Sequence, residues 1–270
     1  MSLYESKKEV LIIIPAYNEE HSIERVLKQL EAPEISDIAD VLVINDASTD
    51  RTPLLVKEHG HLLVTHIFNL GYGSAIQVGY KYAIRRGYRY VIQMDADGQH
   101  DPCNIRRIYD RLKQKDAPDI VLGSRLVAGS ESYPIGIAKR AAYLLFSFMI
   151  RVCTGKKIAD PTTGLQGLGR RAVLSYSKYN QFDFTYPDAN MIMQMLLLGF
   201  KVVETPSVMH ERRTGKSMHS GLRPLIYMFQ MTFSMLAVVF RIRVLKEGVP
   251  VEKQVDYLQE LMEQPGHWKQ

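Results

Sequence analysis

Short apolar runs alternate with helix-spaced segments through the first half of the chain, and each early run ends in a polar cluster. Residues 10–14 read as a buried strand, and Ile23, Val26, Leu27 and Leu30 give residues 18–30 helical spacing. Residues 41–44 form the next strand, followed by Asp46-Ala-Ser-Thr-Asp50 and a helix reaching about His59. Residues 62–66 are strand-like, and Asn69-Leu-Gly-Tyr-Gly-Ser-Ala75 opens a helix running to Arg85. A run at 90–94 follows, then a helix over about 104–113, then a strand at 120–122. This alternation predicts an α/β fold with a mostly parallel sheet flanked by helices. In such sheets ligands bind outside the carboxyl ends of the strands. The polar segments 17–19, 45–46, 69–73 and 95–99 all fall at those ends.

The run at 90–94 drives straight into Asp95 and Asp97. Residues two apart on an extended chain point to the same side, so both carboxylates can face one ligand. Hard divalent cations take oxygen ligands and often share them with substrate phosphates. The spacing therefore suggests a metal held at a strand's end to grip a diphosphate. The competing reading is a polar turn, since Asp and Gly are ordinary turn residues.

The 270 residues are enough for one large domain or two small ones. The chain has 34 basic and 29 acidic residues, a mild excess that does not call for nucleic acid as a partner. Two cysteines, Cys103 and Cys153, make no disulfide framework and no paired metal motif, which suits a reducing compartment. No cleavable signal is expected, because residues 10–14 are too short for a signal's apolar region. The second half carries two apolar stretches, 141–150 and 225–240, each bracketed by Arg or Lys. Gln230, Thr232 and Ser234 interrupt the second, which predicts an amphipathic helix lying in the headgroup region. Core helices or an oligomer interface are the alternatives for both stretches.

Ile14-Pro-Ala-Tyr-Asn-Glu-Glu20, Val43-Ile-Asn-Asp-Ala-Ser-Thr-Asp50, Asn69-Leu-Gly-Tyr-Gly-Ser-Ala75 and Asp95-Ala-Asp-Gly-Gln99 occur together in this order. Gly123-Ser-Arg125, Asp160-Pro-Thr-Thr-Gly164 and Arg213-Thr-Gly-Lys-Ser217 follow. In order and spacing the set resembles the family 2 inverting glycosyltransferases, and most of all the polyprenyl-phosphate (dolichol-phosphate) mannosyl- and glucosyltransferases. The resemblance covers about residues 10–227 and implies the GT-A (Rossmann-like) fold. It implies transfer of a sugar, with inversion, from a UDP- or GDP-sugar to a polyprenyl phosphate in cell-envelope polysaccharide or glycan synthesis. It also implies a Mg2+ or Mn2+ ion on Asp95 and Asp97, with Gln99 as a further ligand.

The nucleotide-sugar site implied by the resemblance comprises Pro15, Ala16, Tyr17, Glu19, Asn45, Asp46, Asn69, Gly71, Gly73, Asp95, Ala96 and Asp97. Pro15 is expected to stop the first strand and turn Tyr17 towards a nucleobase. Asn45 and Asp46 are expected to hydrogen-bond a base or ribose; the family usually has two acids there, so Asn45 is a departure. Gly71 and Gly73 allow close backbone approach and positive φ, or are turn glycines only.

A phosphate acceptor is already anionic and needs cations to position it. Arg125, planar and suited to bidentate contact, fits that task, with Arg140 and Arg213 beside it in the resembled subgroup's pattern. A glycan hydroxyl would instead need a carboxylate base, for which Asp160 and Asp188 are the candidates. His210 lies near the basic loop, as either a structural hydrogen-bonder or a metal ligand. The catalytic set is therefore Asp97, Arg125, Asp160 and Asp188. Three readings stay open: transfer to a lipid phosphate, transfer to a hydroxyl of a lipid-linked glycan, and a non-catalytic nucleotide-sugar-binding scaffold. The expected organisation is a catalytic domain over 1–221, a membrane-associating helix over 222–247 and a polar tail over 248–270. The expected place is peripheral, on the cytoplasmic side of the cell membrane, with a small membrane-protein partner or a homo-oligomer both open.

Overall fold

The computed structural model describes residues 8–133, 136–178, 181–211, 223–248 and 250. The expected strands form as β1 (Val10–Ala16), β2 (Ala39–Asn45), β3 (Leu62–Thr65), β4 (Tyr90–Gln93) and β5 (Ile120–Ser124). Two further strands, β6 (Gln166–Gly169) and β7 (Val202–Pro206), complete a seven-stranded sheet of order β3-β2-β1-β4-β6-β5-β7. Only β6 runs against its neighbours, antiparallel to both β4 and β5. The order reverses between β1 and β4, which places the ligand crevice of such a sheet above those two strands.

Alternation along the strands builds two cores, because successive side chains point to opposite faces. Leu11, Ile13, Leu42 and Ile44 pack on one face with α4 (Tyr72–Arg86) and α7 (Arg170–Ser177). Val10, Ile12, Ile14, Val41 and Val43 pack on the other with α1 (Ile23–Leu30), α3 (Thr52–Glu58) and α5 (Cys103–Leu112). A short helix, α2 (Pro33–Ser36), adds Ile35 to this second core. β6 could not be announced by an apolar run, since Leu168 is its one large apolar residue. Its Gly167 lies against α5: a Cβ there would come 2.1 Å from a methyl of Ile108.

The two apolar stretches become α6 (Ile137–Thr154) and α9 (Arg223–Arg243), which join α8 (Ala189–Leu197) on the first core. α9 buries Met231, Met235 and Val238 in that core, so it is an integral part of the domain. Its outer positions are also apolar: Phe229 and Phe233 are 67% and 68% exposed, with Ile226, Leu236 and Phe240 beside them. Gln230 and Arg243 interrupt this outer face without dividing the helix into polar and apolar halves. That corrects the expected amphipathic helix: it is apolar on both sides. Residues 226–243 have mean hydropathy 1.2, long and apolar enough to cross a membrane by length and composition. Leu144, Phe148 and Val152 of α6 are exposed as well, and Arg243 hydrogen-bonds the Cys153 carbonyl at the end of α6. Most of the 248–270 tail lies outside the described residues.

Candidate active site at the carboxyl edge of the sheet

The loops after β1 and β2 interlock at the carboxyl edge. Asn18 N–H donates to Ser48 Oγ at 2.9 Å, and Thr49 N–H donates to Asn18 Oδ1 at 2.8 Å. Glu19 N–H donates to Thr52 Oγ1 at 2.9 Å, and the Glu19 carboxylate accepts from Ser22 at 2.6 Å. Asn18 and Ala47 hold positive φ, 53° and 61°. That is ordinary for Asn and strained for Ala. Pro15 does not stop β1: it sits inside the strand, in register with Ile44. β4 has already left β1 at the Ile13–Gln93 pair, so no strand on that side needs the N–H that Pro lacks. Ala16 is the last strand residue, and Tyr17, 49% exposed, stands at the mouth of the crevice.

Asn45 and Asp46 serve the protein itself. Asn45 is buried; its Oδ1 accepts from Ser48 N–H, and its Nδ2 donates to Thr65. These bonds engage the amide expected to meet a base or ribose. The Asp46 carboxylate accepts the N–H groups of Leu70 (2.9 Å) and Gly71 (2.8 Å) and pairs with His66 Nδ1 at 2.7 Å. It thus fixes the loop carrying Asn69, which is exposed, against the crevice. Gly71 has φ 88° at the head of α4, the conformation for which glycine is suited. Gly73 is required by contact, since a Cβ would come 2.4 Å from the Phe184 carbonyl oxygen.

A hydrogen-bonded relay orients Asp95. Tyr80 donates to Gln93 Oε1; Gln93 Nε2 donates to the Tyr72 hydroxyl at 3.0 Å and to the Gly164 carbonyl at 3.1 Å. The Tyr72 hydroxyl donates to Asp95 Oδ1 at 3.0 Å. His100 is buried, with Nε2 3.5 Å from Asp95 Oδ2. Burial alone would raise the Asp95 carboxyl; His100, Tyr72 and the charge of Arg125 outweigh it and hold the group below the usual range. Ala96 is buried between the two acids. Asp97 Oδ1 accepts from Gln99 N–H at 3.0 Å, and Gln99 Nε2 donates to the His210 carbonyl at 3.2 Å. That orientation leaves the Gln99 amide oxygen as a donor atom for a cation. His210 pairs through Nε2 with Asp101 at 2.9 Å, away from the Asp95–Asp97 pair.

Among the described residues no group of three or more His, Cys, Asp and Glu converges as a metal cage. Two carboxylates and an amide oxygen are an incomplete, all-oxygen set. Such a set fits Mg2+ or Mn2+, which take their remaining ligands from water and phosphates.

Arg125 and Asp160 form the second half of the site. Asp160 is fully buried and accepts from Arg125 Nε and Nη2, both at 2.6 Å, and from the Arg125 backbone N–H at 2.9 Å. Arg125 Nη2 also donates to Thr162 at 3.2 Å, and the guanidinium lies over the Tyr143 ring at 5.0 Å. Glu204 of β7 accepts the backbone N–H groups of Ala159 and Asp160 at 2.8 and 2.9 Å, pinning the loop. As a base, Asp160 would first have to release its arginine. Tyr143 also lines a cavity of about 400 Å³ with Ser132, Tyr133, Arg140 and Ser147. Arg140, near the start of α6, thus shares a cavity wall with the ring beneath Arg125. Arg213 and its basic loop lie outside the described residues.

Asp188 precedes α8 and accepts from the Tyr227 hydroxyl at 2.7 Å. Burial first, and the charge of Asp95 next, push its carboxyl up to about 6, while the Tyr227 hydrogen bond and Arg125 oppose the rise. Asp95, Arg125 and Asp188 therefore act on one another across one crevice. Sequence reasoning missed Tyr72, Gln93, His100 and Tyr227. Tyr72 and His100 adjoin recognised motifs and could have been found there; a lone polar residue in a buried strand marks Gln93; nothing local marks Tyr227.

A reversed sheet order above paired acids, with a largely buried arginine beside them, is the arrangement of an α/β ligand site at a topological switch point. The sequence pattern described as "Glycosyl transferase family 2" matches residues 11–176, and the chain belongs to that family. An undecaprenyl-phosphate mannosyltransferase of Micrococcus luteus is 31% identical over 227 residues, covering 78% of this chain and 88% of that protein. A polyprenol monophosphomannose synthase of Mycolicibacterium smegmatis is 29% identical over 231 residues, covering 78% and 81%. Among solved structures, glucosyl-3-phosphoglycerate synthase from Mycobacterium tuberculosis, in complex with Mn2+ and UDP-glucose, superposes with a TM-score of 0.61. At 17% identity, with 86% of this chain and 79% of that one covered, it shows a shared fold.

Proposed function

We propose that this glycosyltransferase moves a sugar from a UDP- or GDP-sugar to a polyprenyl phosphate at the cytoplasmic face of the cell membrane. The observation that carries the reading is the cavity walled by Arg140 and Tyr143. Its wall includes Arg140, the Tyr143 ring that lies beneath the Arg125 guanidinium, and the exposed Leu144 of α6. A lipid phosphate needs both, a cationic seat for its head and an apolar surface for its chain. The two relatives named above act, by their names, on undecaprenyl phosphate and form polyprenol monophosphomannose.

In this reading Tyr17 stacks on the nucleobase and the loop at 69–73 lies along the diphosphate. A Mg2+ or Mn2+ ion held by Asp95 and Asp97, with Gln99, would neutralise the charge that develops on the departing diphosphate. Asp160 occupies Arg125 Nε and Nη2. Nη1 is then the edge for the acceptor phosphate, and Asp160 is a positioning residue. An acceptor oxygen attacks the anomeric carbon, the bond from that carbon to the diphosphate breaks, and the nucleoside diphosphate leaves with the electron pair. Where the acceptor arrives as the phosphate monoanion, its proton passes to Asp188. A carboxyl near 6 matches a phosphate whose second pKa is also about 6.

The same raised carboxyl favours one second reading, transfer to a hydroxyl of a lipid-linked glycan with Asp188 as base. Incubation with both undecaprenyl phosphate and a lipid-linked glycan and a panel of labelled UDP- and GDP-sugars separates the two. A mild-acid-labile lipid product supports the first reading; label appearing only on a glycan hydroxyl overturns it.

A further inference from the structure

The partner of the Asp188 carboxylate comes from the outer helix. Tyr227 reaches Asp188 from α9, the helix that exposes Phe229 and Phe233. Its ring is held edge-on by Phe146 of α6 and by Tyr186, with centroids 6.1 and 5.6 Å away. Further along α9, Ser234 accepts from Asn190 at 2.8 Å and donates to Asp183 at 3.2 Å. Asn190 Oδ1 in turn accepts the Asp188 backbone N–H at 3.0 Å. The segment carrying Asp188 is therefore tied to α9 at two points.

We propose that Tyr227 is a positioning residue through which α9 holds the Asp188 carboxylate at the reacting centre. The helix offered to the lipid surface is then a structural part of the active site. This rests on the role given to Asp188 above and goes beyond it. A carboxylate on a loop swings about its side-chain torsions, and a hydrogen bond to a charged group selects one rotamer. Losing that bond lowers the fraction of enzyme ready to react, and leaves the nucleotide edge untouched.

The test uses the full chain with undecaprenyl phosphate in vesicles and compares Tyr227→Phe, Asp188→Asn and the double variant. Tyr227→Phe is expected to lower kcat about tenfold, with the nucleotide-sugar KM and vesicle sedimentation unchanged. The double variant is expected to match Asp188→Asn, because the tyrosine then has no carboxylate to place. Ser234→Ala, which loosens the second tie, is expected to lower kcat in the same direction by less. Wild-type kcat in Tyr227→Phe, or its tenfold loss reappearing in the Asp188→Asn background, overturns the proposal. Wild-type kcat in Asp188→Asn overturns the role of Asp188 instead, so the two failures are told apart.

Discussion

Arg125 and Asp160 make a buried bidentate pair, both side-chain bonds at 2.6 Å, with Asp160 fully shielded from solvent. The pair sets the orientation of a guanidinium whose charge acts on both Asp95 and Asp188. It also engages both carboxylate oxygens of Asp160.

Breaking that pair leaves an unpartnered buried charge. Asp160→Asn is expected to cost about 3 kcal/mol, or roughly 6–12 °C in melting temperature for a domain of this size. Acceptor KM rises while donor KM holds. Differential scanning calorimetry and steady-state kinetics check this; an unchanged melting temperature contradicts it.

Asp188 gives a stability signature separate from turnover. Its folded carboxyl sits at about 6 against roughly 3.9 unfolded, so the folded state binds the proton more tightly. The resulting penalty is absent below about pH 4, where both states are protonated, and complete above about pH 6. Burial, then Asp95 and Asp183, raise the group, and Tyr227 and Arg125 lower it. Its side chain makes no cap bond to α8 that the amide would lose. Metal-free Asp188→Asn is therefore expected to be more stable than wild type by about 2 kcal/mol at pH 7.5, the gap closing towards pH 4. Urea unfolding at the two pH values measures it, and a gap that does not change with pH would exclude a raised carboxyl.

Gly164 packs on the Asp95 carboxylate. A Cβ there would come 2.5 Å from Asp95 Oδ2, so Gly164→Ala must displace that carboxylate. The expected outcome is a stability loss of about 1–3 kcal/mol and a raised half-saturating metal concentration in turnover assays. Metal dependence equal to wild type would show that Asp95 is not where the cation is held.

The outer face of α9 tests membrane contact. Phe229 and Phe233 are two-thirds exposed, so replacing both with Ser is expected to change stability by under about 0.5 kcal/mol. Each phenyl ring withdrawn from a bilayer forfeits about 1.5–3 kcal/mol, so binding to anionic vesicles should weaken at least about tenfold. Undiminished co-sedimentation would assign that face to another partner.

Much of this architecture was legible in the sequence because buried parallel strands are short apolar runs, and β1 to β5 each carry one. β6 was hidden, since a Gln-Gly-Leu-Gly strand packs through the absence of side chains, with Ile108 filling the space at Gly167. β7 is a half-buried edge strand whose Glu204 serves the Asp160 loop rather than a core. Motif spacing singled out Asp95, Asp97, Arg125 and Asp188 as candidates, but spacing carries no direction. Asn45 and Asp46 fall at the expected edge and yet turn inwards, to Ser48, Thr65, His66 and the loop at 70–71. Tyr227 lay beyond reach because its contact with Asp188 depends on α9 packing on α8.

The most direct measurement is the 31P spectrum of undecaprenyl phosphate in vesicles during turnover with Mn2+ and the active nucleotide sugar. Transfer to the lipid phosphate predicts loss of the monoester resonance and growth of a sugar–phosphate diester, one for each nucleoside diphosphate released, with neither change in Asp97→Ala. Release of nucleoside diphosphate while the lipid monoester resonance stays constant would contradict the account.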